Sequence, residues 1–565
     1  MKNRGPMRAL EELERLRTEF AAGTAERKRA SLSELEHARL GSARAVLRLH
    51  ESLCFLCAYP DDARVRSAAT RLLEGFARRL DLRRHASALA DSGIAGTAIH
   101  YPFFAATAAW LAARFPDRLR IDWPSLADDQ EQRLLDRLDL LVHHAETPAL
   151  DELDLTLRQW LARLGGRGEA DGAFVARRFA ALEAGGLLRE GYYDEIGLPL
   201  VLLSGPGTPS RTLARARLRG LAVAYQRGPL RSERPDVRRD VERAPRVREL
   251  STAEGARLIA LAREAMVTRG RDLDVFAYGD PRDVRLLECE DGLAFAAIGF
   301  RPERRLLLEA VYGFLTLKNG VPIGYVLNSA LFGSAEIAYN VFATFRGAEA
   351  GHVYGRVLAS VRRLFGVDSF TIYPYQLGQD NEEGLASGAW WFYYKLGFRP
   401  RAPRAQALVR RELARLERDP RHRSTRATLR GLADHNVYLS LGRERHDVIG
   451  EVALASIGLA AIDLFARRFG SDREGGTRSL VREAAQRFGL RSFQGWSAAE
   501  RLAWARWAPL LVQMRGIERW TAAERRAAVA AVRAKGGRRE SDFVRRFDAH
   551  AKLRRALLEL AARKA

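Results

Sequence analysis

Cysteine is scarce in this chain, and its scarcity excludes a disulfide-stapled fold. The 565 residues include only three cysteines, too few for the disulfide framework of a small secreted domain. Cys54 and Cys57 form a C-x-x-C, but they lie among apolar residues with helical spacing, and no second pair or histidine cluster follows. We interpret them as buried structural thiols in a reducing compartment, and we predict no metal site.

Long hydrophobic runs are also missing. A helix that crosses a bilayer needs about 20 mostly apolar residues. The nearest run, residues 452–465, contains Asp463 and is flanked by Glu451 and Arg467. The first residues are charged and polar, without the apolar segment of a signal peptide. We therefore expect a cytoplasmic protein with no membrane partner.

Charge is unbalanced, with a formal net charge of +23 that comes mostly from arginine. Such an excess suits a polyanionic partner such as nucleic acid, and it also suits the phosphates of an acyl-CoA. The arginines alternate with Glu and Asp instead of forming one block, which is typical of solvated helix faces. The pattern therefore favours solvated faces over nucleic-acid binding, which stays an alternative.

The chain divides by pattern into three parts. Residues 1–245 and 401–565 carry apolar residues mainly at helical spacing, so both are predicted to be mainly helical. A charged, proline-containing stretch at 231–246 is the best boundary between domains. Residues 246–400 have a different pattern, in which strands and helices mix. No fixed-period repeat occurs in either helical part.

The central part predicts an α+β domain with a mixed sheet. Ser251 and Glu254 form a capping box that begins a helix. Asn319-Gly320 between two apolar runs is a strong hairpin signal. The predicted strands are 284–287, 294–300, 306–317, 321–327, 335–344 and 369–375, and the predicted helices in the second half are 351–365 and 388–396.

Two motifs in this domain point to a nucleotide-containing ligand. In the first, residues 341–351, a strand runs into a glycine-containing turn and then a helix. The N-terminus of such a helix offers free N–H groups and a positive dipole end, which suit a pyrophosphate. In the second, residues 392–400, an aromatic helix ends at Gly397 and Pro400.

These motifs make residues 246–400 resemble the GNAT N-acetyltransferase superfamily. The family motif Arg/Gln-x-x-Gly-x-Gly/Ala is matched by Arg346 to Gly351, and the late aromatic-Tyr-x-x-Leu-Gly-Phe signature by residues 392–398. The resemblance implies a sheet that splays between two strands, with acetyl-CoA as co-substrate in the gap. It covers about 150 residues of the 565.

The resemblance also implies residue roles. Tyr393 corresponds to the family tyrosine that protonates the departing CoA thiolate, with Tyr394 in reserve, and packing in an aromatic face is its alternative role. Glu336 is the best-placed general base, followed by Glu309, although either could be a plain strand-edge charge. The resemblance also predicts two sets of cofactor-binding residues. The backbone of the first set would pair with the pantetheine arm: Phe342, Ala343 and Thr344. The second set would contact the pyrophosphate: Arg346, Gly347, Ala348, Glu349, Ala350, Gly351 and His352.

The chain departs from the family pattern in three places. Glu349 stands where the motif has its first glycine, so its carboxylate would repel a pyrophosphate unless it points away. The loop 376–387 is longer than usual, and Asn381 is displaced from the family's asparagine position. No clear pair of strands follows Pro400, although Val437–Leu441 has the composition of a lone strand.

The sequence therefore predicts an acyl-CoA-dependent N-acyltransferase, acting by direct attack of an amine on the thioester in a ternary complex. The acceptor is a small-molecule or peptide amine, and the helical flanks would serve substrate recognition or homo-oligomer contacts. Two alternatives stay open. One is a catalytically inactive scaffold that binds protein or nucleic acid through its basic flanks. The other is an aminoacyl transferase that uses charged tRNA.

Overall fold

The computed structural model describes residues 4–183, 186–231 and 233–563. It confirms the predicted α+β class, because a nine-stranded, mostly antiparallel sheet is packed among helices. One continuous hydrophobic core joins this sheet to the first four helices and to helices near the C-terminus. None of the helices in these described ranges combines the length and apolarity that a bilayer span requires.

Residues before 246 form helices and three short strands. The helices are α1 (Arg4–Leu16), α2 (Thr24–His37), α3 (Ala43–Ala58), α4 (Ala63–Glu74), α5 (Leu80–Arg84), α6 (Ala105–Arg114), α7 (Asp128–Leu135), α8 (Leu138–Leu141), α9 (Thr147–Glu152), α10 (Leu157–Leu164), α11 (Asp171–Ala181), α12 (Gly186–Asp194) and α13 (Val237–Asp240). The strands are β1 (Ile99–Tyr101), β2 (Leu119–Ile121) and β3 (Leu200–Leu202).

These three strands make a small sheet in the order β1-β3-β2, around which a second hydrophobic core is built. Its members run from Ile99 to Leu202, with Val267 added from the central part. The predicted helical part thus contains a small α/β unit. The apolar run 198–203 supplies its middle strand, and Gly172 lies against the backbone of Arg120, where a Cβ would meet the Arg120 carbonyl carbon at 2.7 Å.

The central part supplies most of the large sheet. Its strands are β4 (Arg246–Glu249), β5 (Gly279–Glu288), β6 (Leu293–Phe300), β7 (Ala310–Lys318), β8 (Val321–Leu331), β9 (Ser334–Val341), β10 (Ser369–Ile372) and β11 (Arg399–Pro400). Its helices are α14 (Thr252–Val267), α15 (Asp274–Ala277), α16 (Ala350–Phe365), α17 (Pro374–Leu377), α18 (Glu382–Ser387) and α19 (Ala389–Lys395).

The remaining elements are mainly helical. They are α20 (Pro403–Arg418), α21 (Arg426–Ala433), β12 (Val437–Ser440), α22 (Leu454–Phe469), α23 (Arg473–Phe488), α24 (Ala498–Leu511), α25 (Ala522–Lys535), α26 (Glu540–Ala549) and α27 (Ala551–Ala561). The strand order of the large sheet is β11-β12-β10-β9-β8-β7-β6-β5-β4. β9 and β10 are parallel, and every other neighbouring pair is antiparallel.

Local signals in the sequence decide several of these elements. Ser251 and Glu254 form the predicted capping box at the start of α14. Asn319 and Gly320 connect β7 to β8 with φ of 51° and 79°. Positive φ at both central residues is the requirement of a type I′ turn, whose twist matches the flanking strands. The predicted hairpin is therefore confirmed.

Within the described residues one strand, β12, follows Pro400, but it pairs with β11, which ends at Pro400. β11 has only two residues, and β12 comes after two intervening helices, α20 and α21. β12 pairs with β11 on one side and with β10 on the other, so it is not a lone strand. A two-residue strand has no recognisable alternation, which is why the pattern hid this pair.

Helices cover both faces of the sheet near β9. On one face, Phe276 of α15 contacts Tyr325 of β8, with ring centroids 6.4 Å apart. On the opposite face, Tyr354 of α16 packs on Tyr339 of β9 at 5.2 Å. We call these the α14 face and the α16 face. Because successive strand residues point to opposite sides, Glu336 and Asn340 lie on the α14 face and Tyr339 on the α16 face.

Candidate functional site

The parallel strands β9 and β10 separate after a short contact. They pair only from Ser334 to Glu336, opposite Ser369 to Thr371. β9 then continues to Val341, while β10 ends at Ile372 and the chain turns into α17. Residues 338–341 are partly exposed although they belong to a central strand. The sheet therefore opens into a cleft beside the second half of β9.

Glu336 lies at the closed end of this cleft, where the last paired residues meet. Burial raises the pKa of its carboxyl group to about 7, the nearby Glu309 also raises it, and a hydrogen bond from Ser329 opposes the shift. Ser329 Oγ donates to Glu336 Oε2 at 3.4 Å. A carboxyl group with a pKa near neutrality can accept a proton at physiological pH and give it up again.

Three phenols meet on the α16 face of the cleft. The ring centroid of Tyr354 lies 5.2 Å from that of Tyr339 and 5.5 Å from that of Tyr393. Burial raises the pKa of all three hydroxyl groups, and the neighbouring Tyr393 raises the pKa of Tyr339 further. These phenols therefore stay protonated at neutral pH, as a proton donor must.

Glu336 and Tyr393 are thus placed on opposite sides of β9. Only the gap beyond Glu336 connects them. A molecule held in this gap would present one end to the carboxylate and the other end to the phenols. The two predicted catalytic residues therefore lie beside β9 but on opposite faces of the sheet.

The predicted phosphate turn follows β9. Gly347 has φ of 78°, and a Cβ added to it would meet no atom within 4 Å. α16 begins directly afterwards, and the N–H groups of Ala350, Gly351 and His352 have no hydrogen-bond acceptor within the described residues. These three amides at the positive end of a 16-residue helix can bind an anion.

Glu349, the N-cap residue of α16, directs its carboxylate away from this turn. Its Oε2 accepts a hydrogen bond from Lys318 Nζ at 3.0 Å, and its Oε1 accepts from Arg231 N at 3.2 Å. Both side chains of the Lys318–Glu349 pair are 4% exposed. The side chain caps no amide of α16, so the carboxylate does not occupy the anion position that the sequence left in question.

The linker between the first two parts lies against the same helix end. A Cβ added to Gly351 would lie 3.0 Å from Pro235 Cδ and 3.8 Å from the Glu233 carbonyl oxygen. Arg231 of this linker forms a 2.5 Å ion pair with Asp291. Gly351 is therefore covered on its Cβ side, whereas Gly347 is open.

The first three predicted cofactor residues adopt a different conformation from the predicted one. Residues 343–345 form a 3-10 turn, and Phe342 N donates to Ile323 O at 2.9 Å instead of facing a ligand. The strand edge that is free to pair with an extended arm is residues 337–341. The apolar run continued past the end of the strand, so the pattern extended β9 too far.

The other predicted residues surround the turn. Arg346 Nε donates to Val341 O at 3.2 Å, and its guanidinium pairs with Glu383 of α18, which ties the long loop to the turn. Ala348 is buried within the turn. His352 lies 3.3 Å from Arg231 at the side of the helix, and burial lowers its pKa.

The N-terminal part also contributes to this site, which no sequence signal indicated. Glu51 of α3 accepts a hydrogen bond from Thr344 and forms a 2.5 Å ion pair with Arg211. Phe55 stacks on Phe345 at 6.2 Å. The contacts of Thr344 and Phe345 join residues almost 300 positions apart. Single residues at such separations carry no spacing pattern that would reveal them.

The larger surface cavity lies elsewhere, on the small α/β unit. It measures about 520 Å³ and is open to solvent beside Trp123 and Arg158. Trp123 Nε1 donates to Asp171 Oδ2 at 2.8 Å, which fixes the ring, and the Arg158 guanidinium stacks over that ring at 5.2 Å.

Comparison with known proteins gives no relative from which a role could be transferred. No family model, curated protein or solved structure matches the chain. Only the residues of the cleft therefore indicate a function.

Proposed function

We propose that the chain is an acyl-CoA-dependent N-acyltransferase, which moves an acetyl group from acetyl-CoA to an amine. The observation that carries the proposal is the separation of β9 from β10 directly after Glu336. It combines a free strand edge, a helix N-terminus with three free amides and two titratable groups in one cleft.

The geometry supports a division of tasks along the cleft. The amides at the start of α16 would bind the pyrophosphate, with Arg346 adding positive charge. The free edge of β9 would pair with the pantetheine arm as an added strand. The thioester would then lie near Glu336, between the two faces of the sheet.

The chemistry follows from the two opposed residues. Glu336, as a carboxylate, takes a proton from the acceptor's ammonium group, directly or through a water molecule, and leaves a neutral amine. The amine nitrogen attacks the thioester carbonyl carbon, an amide bond forms and the carbon–sulfur bond breaks. Tyr393 donates a proton to the departing sulfur, and the tyrosinate regains a proton from the attacking nitrogen as the amide forms. No covalent bond to the enzyme is formed.

The family resemblance gains two supports from the topology. One is the parallel strand pair that opens beside the phosphate turn, and the other is the strand pair β11–β12 that ends the sheet. The resemblance implies both features. The family assignment nevertheless stays part of the proposal, as does the identity of the acyl group.

One observation favours a second candidate, an inactive scaffold. Pro235 contacts the Cβ side of Gly351 and occupies space beside the phosphate turn. If the linker stays there, CoA cannot use the whole turn, and the fold would serve only to bind a macromolecule through its basic flanks.

Calorimetric titration with CoA separates the two candidates. We expect the wild-type protein to bind CoA with a Kd between about 1 µM and 1 mM, the usual range of enzyme–substrate affinities. Gly347→Ala should bind CoA at least about tenfold more weakly, because a Cβ at φ of 78° strains the turn that positions the amides.

Gly489→Ala is the matched control. Gly489 also has a left-handed φ, 70°, and open space around it, but it ends α23 in the C-terminal part. It should lose similar stability and keep its affinity for CoA. A wild-type protein that binds no CoA at millimolar concentration would favour the scaffold.

The role of Tyr393 gives a separate prediction. Tyr393→Phe should lower the rate of thiol release from acetyl-CoA by about a hundredfold, the lower end for loss of a general acid. The CoA affinity should stay unchanged, because the ring is kept. The measurement is thiol release across a panel of amines. Tyr394→Phe is the control, since Tyr394 stacks on Trp390 at 5.3 Å and points away from Tyr354. Equal rates in wild type and Tyr393→Phe would remove the acid role.

A further inference from the structure

Three arginines converge at the open end of the cleft, and the mechanism above uses none of them. They are Arg211, Arg269 and Arg271, which we call the arginine cluster. Arg269 and Arg271 follow the C-terminus of α14, and Arg211 comes from the N-terminal part. Positive charges on Arg211 and Arg271 lower the pKa of Arg269, after the larger effect of burial, so the three groups lie close together.

Arg269 is the most enclosed member. Its guanidinium carbon lies 3.8 Å from the centroid of the Phe342 ring, and its Nη1 donates to Ala265 O at 2.8 Å. Burial lowers its pKa to about 9, so it is still charged at neutral pH. The side chain nevertheless keeps some exposure, which means that it lines the wall of a recess rather than the core.

The cluster has an unbalanced charge. Within the described residues, no carboxylate oxygen lies within 4.0 Å of Arg269 or Arg271. Arg271 instead donates to the hydroxyl of Tyr325 at 2.7 Å. Glu51 pairs with Arg211 and also accepts from Thr344, so this one carboxylate faces three arginines, and within the described residues the Arg211 Nε is buried with no partner. An enclosed guanidinium without an anion is costly, so this arrangement is poised to receive one.

Apart from Glu51, whose charge raises the pKa of Arg269, the groups of α3 beside the cluster supply no negative charge. His50 lies beside the cluster, and burial together with Arg211 and Arg269 holds its pKa well below the usual value, so it is neutral. Burial raises the pKa of the Cys54 thiol to about 12, so it is no thiolate either. The C-terminal dipole of α14 offsets only part of the charge.

The cluster lies on the same face of the sheet as Glu336. Arg271 bonds to Tyr325, which is paired with Asn340, four residues after Glu336 on β9. Four strand residues span about 13 Å. The amides of α16 lie on the opposite face. The cluster therefore borders the acceptor side of the cleft, not the side assigned to the pyrophosphate.

We infer that the arginine cluster binds a carboxylate of the acceptor, so that the acceptor is an anionic amine with its negative group about 13 Å from the reacting nitrogen. This inference rests on the proposed acyl transfer only in that it takes the bound molecule to be the acyl acceptor. An extended peptide of about four residues has this reach between its amino group and its free carboxylate. Guanidinium groups bind carboxylates through paired N–H donors, which fits two adjacent arginines.

The test is calorimetric titration of the CoA-saturated protein with tetra-alanine and with its C-terminal amide. We expect the wild type to bind the acid at least about tenfold more tightly than the amide. Arg269→Gln should lose about ten- to hundredfold in affinity for the acid and nothing for the amide, as expected when a hydrogen bond to a charged group is removed. Arg269→Lys should keep part of the preference.

Arg257→Gln is the matched control, because Arg257 is an exposed arginine of α14, the helix that Arg269 follows. It should behave as wild type. Arg269→Gln loses the hydrogen bond to Ala265 O and the stacking on Phe342, so its melting temperature is measured together with that of Arg257→Gln. Equal affinity of the wild type for acid and amide would overturn the inference. So would an equal loss of CoA affinity in Arg269→Gln, because the arginines would then serve the CoA phosphates.

Two further outcomes of the experiment distinguish failure of the carboxylate site from failure of the proposed acyl transfer. Inorganic phosphate that binds through Arg269 while tetra-alanine shows no preference would replace the carboxylate by a phosphate and overturn the inference as stated. Acid-selective binding that is lost in Arg269→Gln, without thiol release from acetyl-CoA for any amine, would keep the anion site and remove the proposed acyl transfer.

Discussion

Glu336→Gln is expected to slow acetyl transfer by about 10²- to 10⁴-fold, the usual contribution of a positioned general base. The amide keeps the size and shape of the carboxyl group but cannot accept the proton of the acceptor's ammonium. CoA affinity should not change, because Glu336 lies at the closed end of the cleft, away from the phosphate turn. The measurement is turnover at saturating acetyl-CoA and amine.

The base role of Glu336 also predicts the direction in which the rate changes with pH. Glu336 acts as a base only when ionised, and its pKa is raised to about 7. The wild-type rate should therefore rise as the pH increases through about 7, and the Gln variant should lack this limb. Ser329→Ala removes the one hydrogen bond that lowers this pKa, so it should move the limb to higher pH.

Stability provides a readout that is independent of activity. A carboxyl group whose folded pKa lies above its unfolded value favours folding at low pH, and this contribution is lost as the pH rises towards the folded pKa. From pH 5 to pH 8 the wild type should therefore lose about 2 kcal/mol relative to Glu336→Gln, allowing for partial exposure. A Gln variant with full activity and an unchanged pH limb would transfer the base role to Glu309 or remove it.

Asp283→Ala should lower the free energy of unfolding by about 3–5 kcal/mol, the cost of removing one partner from a buried ion pair. Asp283 on β5 is fully buried beside Arg285 and Arg305, whose guanidinium nitrogens lie 3.5 and 3.8 Å from its carboxylate. Its Oδ2 also accepts from Tyr312 at 2.5 Å and from the N–H of Glu540 at 3.0 Å. The measurement is chemical unfolding.

This carboxylate attaches the C-terminal helices to the sheet. Glu540 begins α26, so Asp283 occupies the N-terminal end of that helix. Asp542→Ala, an exposed aspartate two residues into α26, should change stability by less than about 0.5 kcal/mol. If both variants lost equally little, the C-terminal helices would be held by apolar packing alone, and the ion pair would add no stability.

Much of the cleft was readable from local sequence signals. The turn Asn319-Gly320, the capping box at Ser251 and the glycine-rich start of α16 each act within a few residues. Whether the backbone can adopt each of these structures depends on neighbouring residues, so the local sequence pattern is enough to predict where they occur. Tyr393 and Glu336 were predicted as catalytic residues because they lie next to such signals, and these roles stay predictions.

The contributions of remote segments were not readable. Glu51 and Arg211 reach Thr344 from the N-terminal part, and β12 joins the sheet after two helices. From the sequence, the carboxylate of Glu349 would repel a pyrophosphate, whereas in the structure it pairs with Lys318. Each of these contacts depends on how distant elements pack, and such packing produces no periodic pattern in the sequence.

The sequence by itself determined most of the long helices and strands and several turns, because those choices depend on side-chain periodicity and on φ at single residues. Only the tertiary structure decided that β9 and β10 separate after three residue pairs, and on which side of that gap each titratable group lies. Strand pairing joins residues far apart in the chain, so the gap, the raised pKa of Glu336 and the arginine cluster exist only once the sheet has formed.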